Sequence, residues 1–229
     1  MVTVAQSRPS ERAKFIQQTY IHLAGAVGSF VLVEILLFQT GIAQALASFV
    51  FASRFSWLLI LGAFSLLGWF SRSLTAKADS VETQYAGLGI YVVAQALIFA
   101  PLLYLAVYFS DPSVLPTAAI LTLLLFGGLT TVALTTKTDF TFLGGILKIG
   151  GFVALGLILC SILFGFTLGL LFSVVMVAFA SAAILYDTSK IMRHYSTQHY
   201  VAASLELFAS VALLFWYVLQ VMMSLSSRR

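Results

Sequence analysis

Long apolar runs separated by short polar gaps set the pattern of this chain. After a polar opening, MVTVAQSRPSERAKFIQQTY, apolar residues dominate seven stretches: Tyr20–Gln39, Phe55–Phe70, Tyr85–Phe109, Thr117–Thr136, Phe142–Phe164, Leu168–Asp187 and Tyr200–Ser224. A helix needs about 20 mostly apolar residues to cross a bilayer. In lipid only helices and closed barrels satisfy their backbone polar groups, and these runs lack the period-two alternation of barrel strands. The pattern predicts an all-α polytopic membrane protein with seven transmembrane helices. Residues 1–18 read as a cytoplasmic N-terminal segment and residues 19–229 as a single seven-helix transmembrane domain.

The second run is the shortest. Before it, TGIAQALASFVFASR is too short to span and too apolar for a free loop, so it either lies along the outer interface or extends the second helix. AQALA has a faint likeness to a signal-peptidase site, but the runs that follow favour an uncleaved first span. Pro101, inside the third run, is expected to kink its helix. The glycine pairs Gly127–Gly128, Gly144–Gly145 and Gly150–Gly151 allow helices to approach closely.

Composition sharpens this picture. The chain is 61% hydrophobic and only 9% charged, against about a quarter charged in soluble domains. A water-facing surface cannot be covered with so few charges. The net charge is +4, but Lys and Arg form no contiguous patch, which argues against a nucleic-acid partner. They occupy the gaps instead. With a cytoplasmic N-terminus the inside segments hold Arg8, Arg12, Lys14, Arg72, Lys77, Lys137, Lys190 and Arg193, and the outside ones only Arg54, Arg228 and Arg229. Positive-inside bias therefore favours that orientation. Small size and minimal loops suggest a bacterial inner membrane. The single cysteine, Cys160, lies inside an apolar run and excludes an intramolecular disulfide.

Charges inside hydrocarbon are costly, so each usually faces a cavity or a partner. Lys148 lies close enough to the interface to snorkel, and His22 is near a helix end. Glu34 is deeper, in FVLVEILLF, and is either a hydrogen-bonded core group or part of a pathway. On the last helix Glu206, Ser210, Tyr217, Gln220 and Ser224 fall within about 80° of arc. Gln84, Tyr91 and Gln95 make a shorter stripe on the third. Such stripes either hydrogen-bond between helices or line a lumen; the pore-lining candidates are Tyr217, Gln220, Gln95, Tyr91 and Glu34.

Asp187 ends the sixth run, and the gap TSKIMRHYSTQH returns the chain into the seventh. Antiparallel packing then brings Asp187 near Glu206 and Ser210. Two carboxylates in a poorly solvated site do not both ionise cheaply, so such a pair shares a proton and can act as a pH switch. The alternative is a solvated Asp187, or one paired with Lys190 or Arg193.

ILYDTSKIM resembles the sixth-helix signature of the Bax inhibitor-1 (transmembrane Bax-inhibitor-motif) family. TTKTDFTFLGGIL is similar to the segment opening that family's fifth helix, with Asp139, Phe142, Gly144 and Gly145 as its core, and SLELFASVALLFWYVLQVM is similar to its last helix. The resemblance, to a bacterial-type member, runs from about Arg12 to the C-terminus. It implies six helices around a central hydrophobic seventh, and a pH-sensitive calcium leak gated by two acidic residues. The first acid carries over to Asp187. The second is expected where Ser210 stands, with Glu206 one turn earlier on the same face.

The leading expectation is a passive cation (calcium) leak channel with Asp187, Glu206 and Ser210 as pH sensor and gate. Ca²⁺ is the permeant ion, held transiently by Asp187 and Glu206, and no cofactor is expected. No EF-hand loop is present. The alternative is a non-transporting regulator that binds a membrane protease or another membrane-protein partner. An enzyme is not expected: His194 and His199 fit neither HExxH nor GxSxG.

Overall fold

Each apolar run folds into a long helix. The computed structural model describes residues 3–53, 55–77, 80–136 and 138–227. Arg54, Lys137, Arg228 and Arg229, which carry part of the charge-orientation argument, lie outside the described residues, as does the side chain of Lys77. The helices are α1 (Pro9–Gln39), α2 (Ile42–Ala52), α3 (Ser56–Lys77), α4 (Val81–Phe109), α5 (Val114–Thr135), α6 (Leu143–Phe164), α7 (Gly169–His194) and α8 (Tyr200–Ser226). All but α2 are long and apolar enough to cross a membrane.

Local chemistry sets the ends. Pro9 opens α1 at its first position, where a missing N–H costs nothing. The Ser80 hydroxyl accepts the Thr83 N–H at 3.2 Å and caps α4. Gly41 and Gly165, both at φ 76°, take the left-handed conformation that ends α1 and α6.

Several boundaries differ from the sequence reading; α3, for one, runs on to Lys77 and α4 begins at Val81. Helix α1 starts at Pro9, because Phe15, Thr19, Leu23, Ala26, Phe30, Glu34 and Leu37 form one buried face that continues through the polar opening. Helix α7 runs past Asp187 to His194, so Asp187 does not end it. The reason is that Ile184, Thr188, Ile191 and Met192 keep helical spacing on its buried face, while Arg193 and His194 suit the negative end of the helix dipole. The segment before the second span is a separate helix, α2, since the backbone at Ser53 is extended. Pro101 is buried within α4 and does not end it.

Helix α8 is the hub: α1, α3, α4, α5 and α7 all pack against it. Rings fill the middle of that core. Phe30 meets Phe99 at 5.2 Å, Phe99 meets Trp216 at 4.9 Å, and Tyr91 meets Phe208 at 6.1 Å between centroids. Five spans thus pack directly on a central α8, and the remaining one, α6, stands at the edge against α7 and α3. Helix α6 is peripheral and buries only Ala154. It reaches α7 where glycines allow: a Cβ on Gly144 would stand 2.7 Å from the Tyr186 ring, and one on Gly150 2.9 Å from Phe179. Gly127, Gly128 and Gly145 face open space, so close approach is not their role.

Candidate functional site

Because α8 is central and its polar stripe is narrow, the stripe has one surface to face. It faces a cavity of about 820 Å³ between α3, α4, α6, α7 and α8. Ser210, Tyr217, Gln220 and Ser224 line it from α8, and Tyr91 and Gln95 from α4. The candidate lining residues Tyr217, Gln220, Gln95 and Tyr91 therefore share one space. Glu34 does not line it; it is buried in α1, and neither carboxyl oxygen has a hydrogen-bond partner.

Antiparallel packing of α7 on α8 sets three polar pairs in a common register. The Ser210 hydroxyl donates to the Asp187 carboxylate. One turn nearer the α7–α8 loop, Lys190 Nζ donates to both Glu206 oxygens, at 2.9 and 3.1 Å. Towards the far end, the Ser173 hydroxyl donates to Gln220 Oε1 at 3.0 Å. The expected hydrogen-bonded carboxylate dyad is thus replaced by two mixed pairs. Asp187 and Lys190 stand at i and i+3 on α7, Glu206 and Ser210 at i and i+4 on α8. Opposed directions then match Lys190 with Glu206 and Asp187 with Ser210. Asp187 is not paired with Arg193, whose guanidinium is 3.3 Å from Asp139.

Lys190 Nζ also lies 5.9 Å from the Tyr186 ring centroid and 5.8 Å from that of Tyr195, within cation–π range. Arg72, at the cavity's wall on α3, hydrogen-bonds Tyr91 and lies within electrostatic reach of Glu206 and Asp187. Sequence reading treated Arg72 only as an orienting charge. Its helix continues to Lys77, which keeps Arg72 on the bundle rather than in a loop. That continuation was the missed signal.

Two groups outside the spans complete the surroundings. The Thr141 N–H at 3.0 Å holds the exposed Asp139 carboxyl below the usual carboxylate range, with Arg193 adding to the effect. Burial, followed by the charge of Glu206, pushes the Tyr195 hydroxyl far above the usual phenol range. Among the described residues, no three His, Cys, Asp or Glu side chains form a group able to hold a metal ion.

The comparison with known families settles the relationship. Residues 12–227 match the family model described as "Inhibitor of apoptosis-promoting Bax1". The chain belongs to the Bax inhibitor-1 family.

Within the Bax inhibitor-1 family framework, the matched span takes in all of α2 to α8 and nearly all of α1. A Pseudomonas aeruginosa protein described as "Uncharacterized protein PA2604" is 41% identical over 110 residues. That match covers 48% of this chain and 49% of the relative, so it spans about half of each.

Proposed function

We propose that this protein is a pH-sensitive passive cation leak, with Ca²⁺ as the permeant ion. The observation that carries this reading is the continuity of the α8 stripe: Ser210 lines the cavity and also binds Asp187. The cavity is the pathway, and the Asp187–Ser210 and Lys190–Glu206 pairs form its gate. Protonation of Asp187 removes the charge that Ser210 and nearby cations face, which changes how tightly α7 and α8 hold together. One or two carboxylates bind Ca²⁺ only weakly, and this favours passage over storage. Residence in a bacterial inner membrane with a cytoplasmic N-terminus belongs to the same proposal.

Thiol block tests the pathway. In a Cys160→Ser background, Gln220→Cys is placed in the cavity wall and reconstituted into liposomes. A positively charged, water-soluble thiol reagent is expected to reduce Ca²⁺ uptake several-fold. Uptake that persists after the thiol has reacted would remove the cavity from the pathway. No uptake by any variant would instead favour the non-transporting class, a regulator that binds a membrane protease.

A further inference from the structure

The first described residues form no free tail. Val4 has no exposed surface and belongs to the main hydrophobic core. Its N–H donates to the Tyr195 carbonyl at 2.8 Å, and Thr3 pairs with Ser196 in an isolated antiparallel bridge. The segment is also tied internally: Gln6 N–H donates to the Thr3 carbonyl at 2.9 Å, and the Ser7 hydroxyl to that of Val4 at 2.8 Å. From Ser7 the chain passes directly into α1, which packs along α8 and α4.

The docking point is the start of the α7–α8 loop. This short connection joins the helix carrying Asp187 and Lys190 to the helix carrying Glu206 and Ser210. Tyr195, whose carbonyl holds the strap, turns its hydroxyl toward Glu206 and its ring toward Lys190. One residue therefore joins the N-terminal segment to both members of the ion pair. Separating the last turn of α7 from the first turns of α8 means moving Tyr195, which the strap anchors to α1.

We propose that residues 3–7 form a strap that positions Tyr195 over the Lys190–Glu206 pair and so restrains the opening of the α7–α8 end of the bundle. Tyr195 is a positioning residue in this scheme. The link to conduction rests on the channel reading above; the restraint on the helix ends does not.

Hydrogen exchange and flux on the same protein separate the two. Val4→Asp places a carboxylate where a fully buried valine sits, and Val4→Ala serves where the acid prevents folding. The strap predicts at least tenfold faster amide exchange from Lys190 to Glu206 in the variant, with α4 and α5 unchanged, and wild-type behaviour in Val4→Ile. Unchanged exchange at Lys190–Glu206, or acceleration spread evenly over the bundle, would overturn the strap. Where wild type conducts, Val4→Asp is expected to raise Ca²⁺ flux several-fold at the pH of lowest flux, and equal flux would overturn the restraint on opening. A wild type that does not conduct defeats the channel reading, and the exchange result alone then decides the strap.

Discussion

Lys190→Met is the most informative single perturbation of the gate's framework. It removes a lysine that donates to both Glu206 oxygens, at 2.9 and 3.1 Å. The two side chains are 32% and 20% exposed, so the pair sits between two limits. Exposed pairs contribute about 0–1 kcal/mol, whereas breaking a buried pair costs about 3–5 kcal/mol because a charge is left unpartnered. Intermediate exposure places Lys190→Met near ~2 kcal/mol, taken between those limits. For a chain of this size that is roughly 4–8 °C in apparent Tm. Intrinsic fluorescence of Trp57, Trp69 and Trp216 follows unfolding in detergent. Glu206→Gln alone should cost less, since the lysine left behind can reach water. The double variant leaves no orphaned charge, and its loss should fall short of the sum by about 1–2 kcal/mol. Loss of the Tyr186 and Tyr195 ring contacts is common to Lys190→Met and the double, so it cancels in the cycle. Losses that add to within about 0.5 kcal/mol would show that the pair is not coupled, and the reasoning would fail.

Gly144→Ala would place a Cβ 2.7 Å from the Tyr186 ring and should destabilise by about 1–3 kcal/mol through overpacking. Gly145→Ala meets nothing within 4 Å and should leave Tm unchanged or raised, as the same thermal measurement will show. Asp139 titrates below its ordinary range in the folded protein. Its stabilising contribution is therefore complete above the unfolded-state value and is lost only as pH falls through the lower, folded one. Asp139→Asn should then leave the shape of any pH–flux profile between pH 5 and 8 unchanged; a profile that flattens would place Asp139 within the sensor. In a Cys160→Ser background, Gln95→Cys should react with a water-soluble thiol reagent far faster than Glu34→Cys, because only the former lines the cavity.

Hydropathy made the seven spans legible, because a lipid-crossing helix leaves a long and nearly uncharged signature. Helix ends were harder to read. The residues TSKIMRH look like a loop by polarity, yet Thr188 and Ser189 are 2% and 3% exposed and continue α7. Likewise SERAKFIQQT hides a buried stripe through Phe15 and Thr19. The α8 stripe was readable because helical periodicity alone groups Ser210, Tyr217, Gln220 and Ser224. What it faced depended on α3, α6 and α7, so the cavity was not readable in outline. The mixed pairing of Lys190 with Glu206 and Asp187 with Ser210 follows from antiparallel register, which two carboxylates on adjacent helices do not specify. Val4, met as part of a polar N-terminus, gave no periodic signal at all; its burial depends on a loop far along the chain.

The most direct test of the gate is Ca²⁺ flux into liposomes holding the purified protein, measured from pH 5 to 8 for wild type and Asp187→Asn. The account predicts a pH-dependent wild-type flux and a nearly flat profile in the variant. Identical pH profiles for the two, or wild-type flux no greater than that of empty liposomes at every pH, would contradict it.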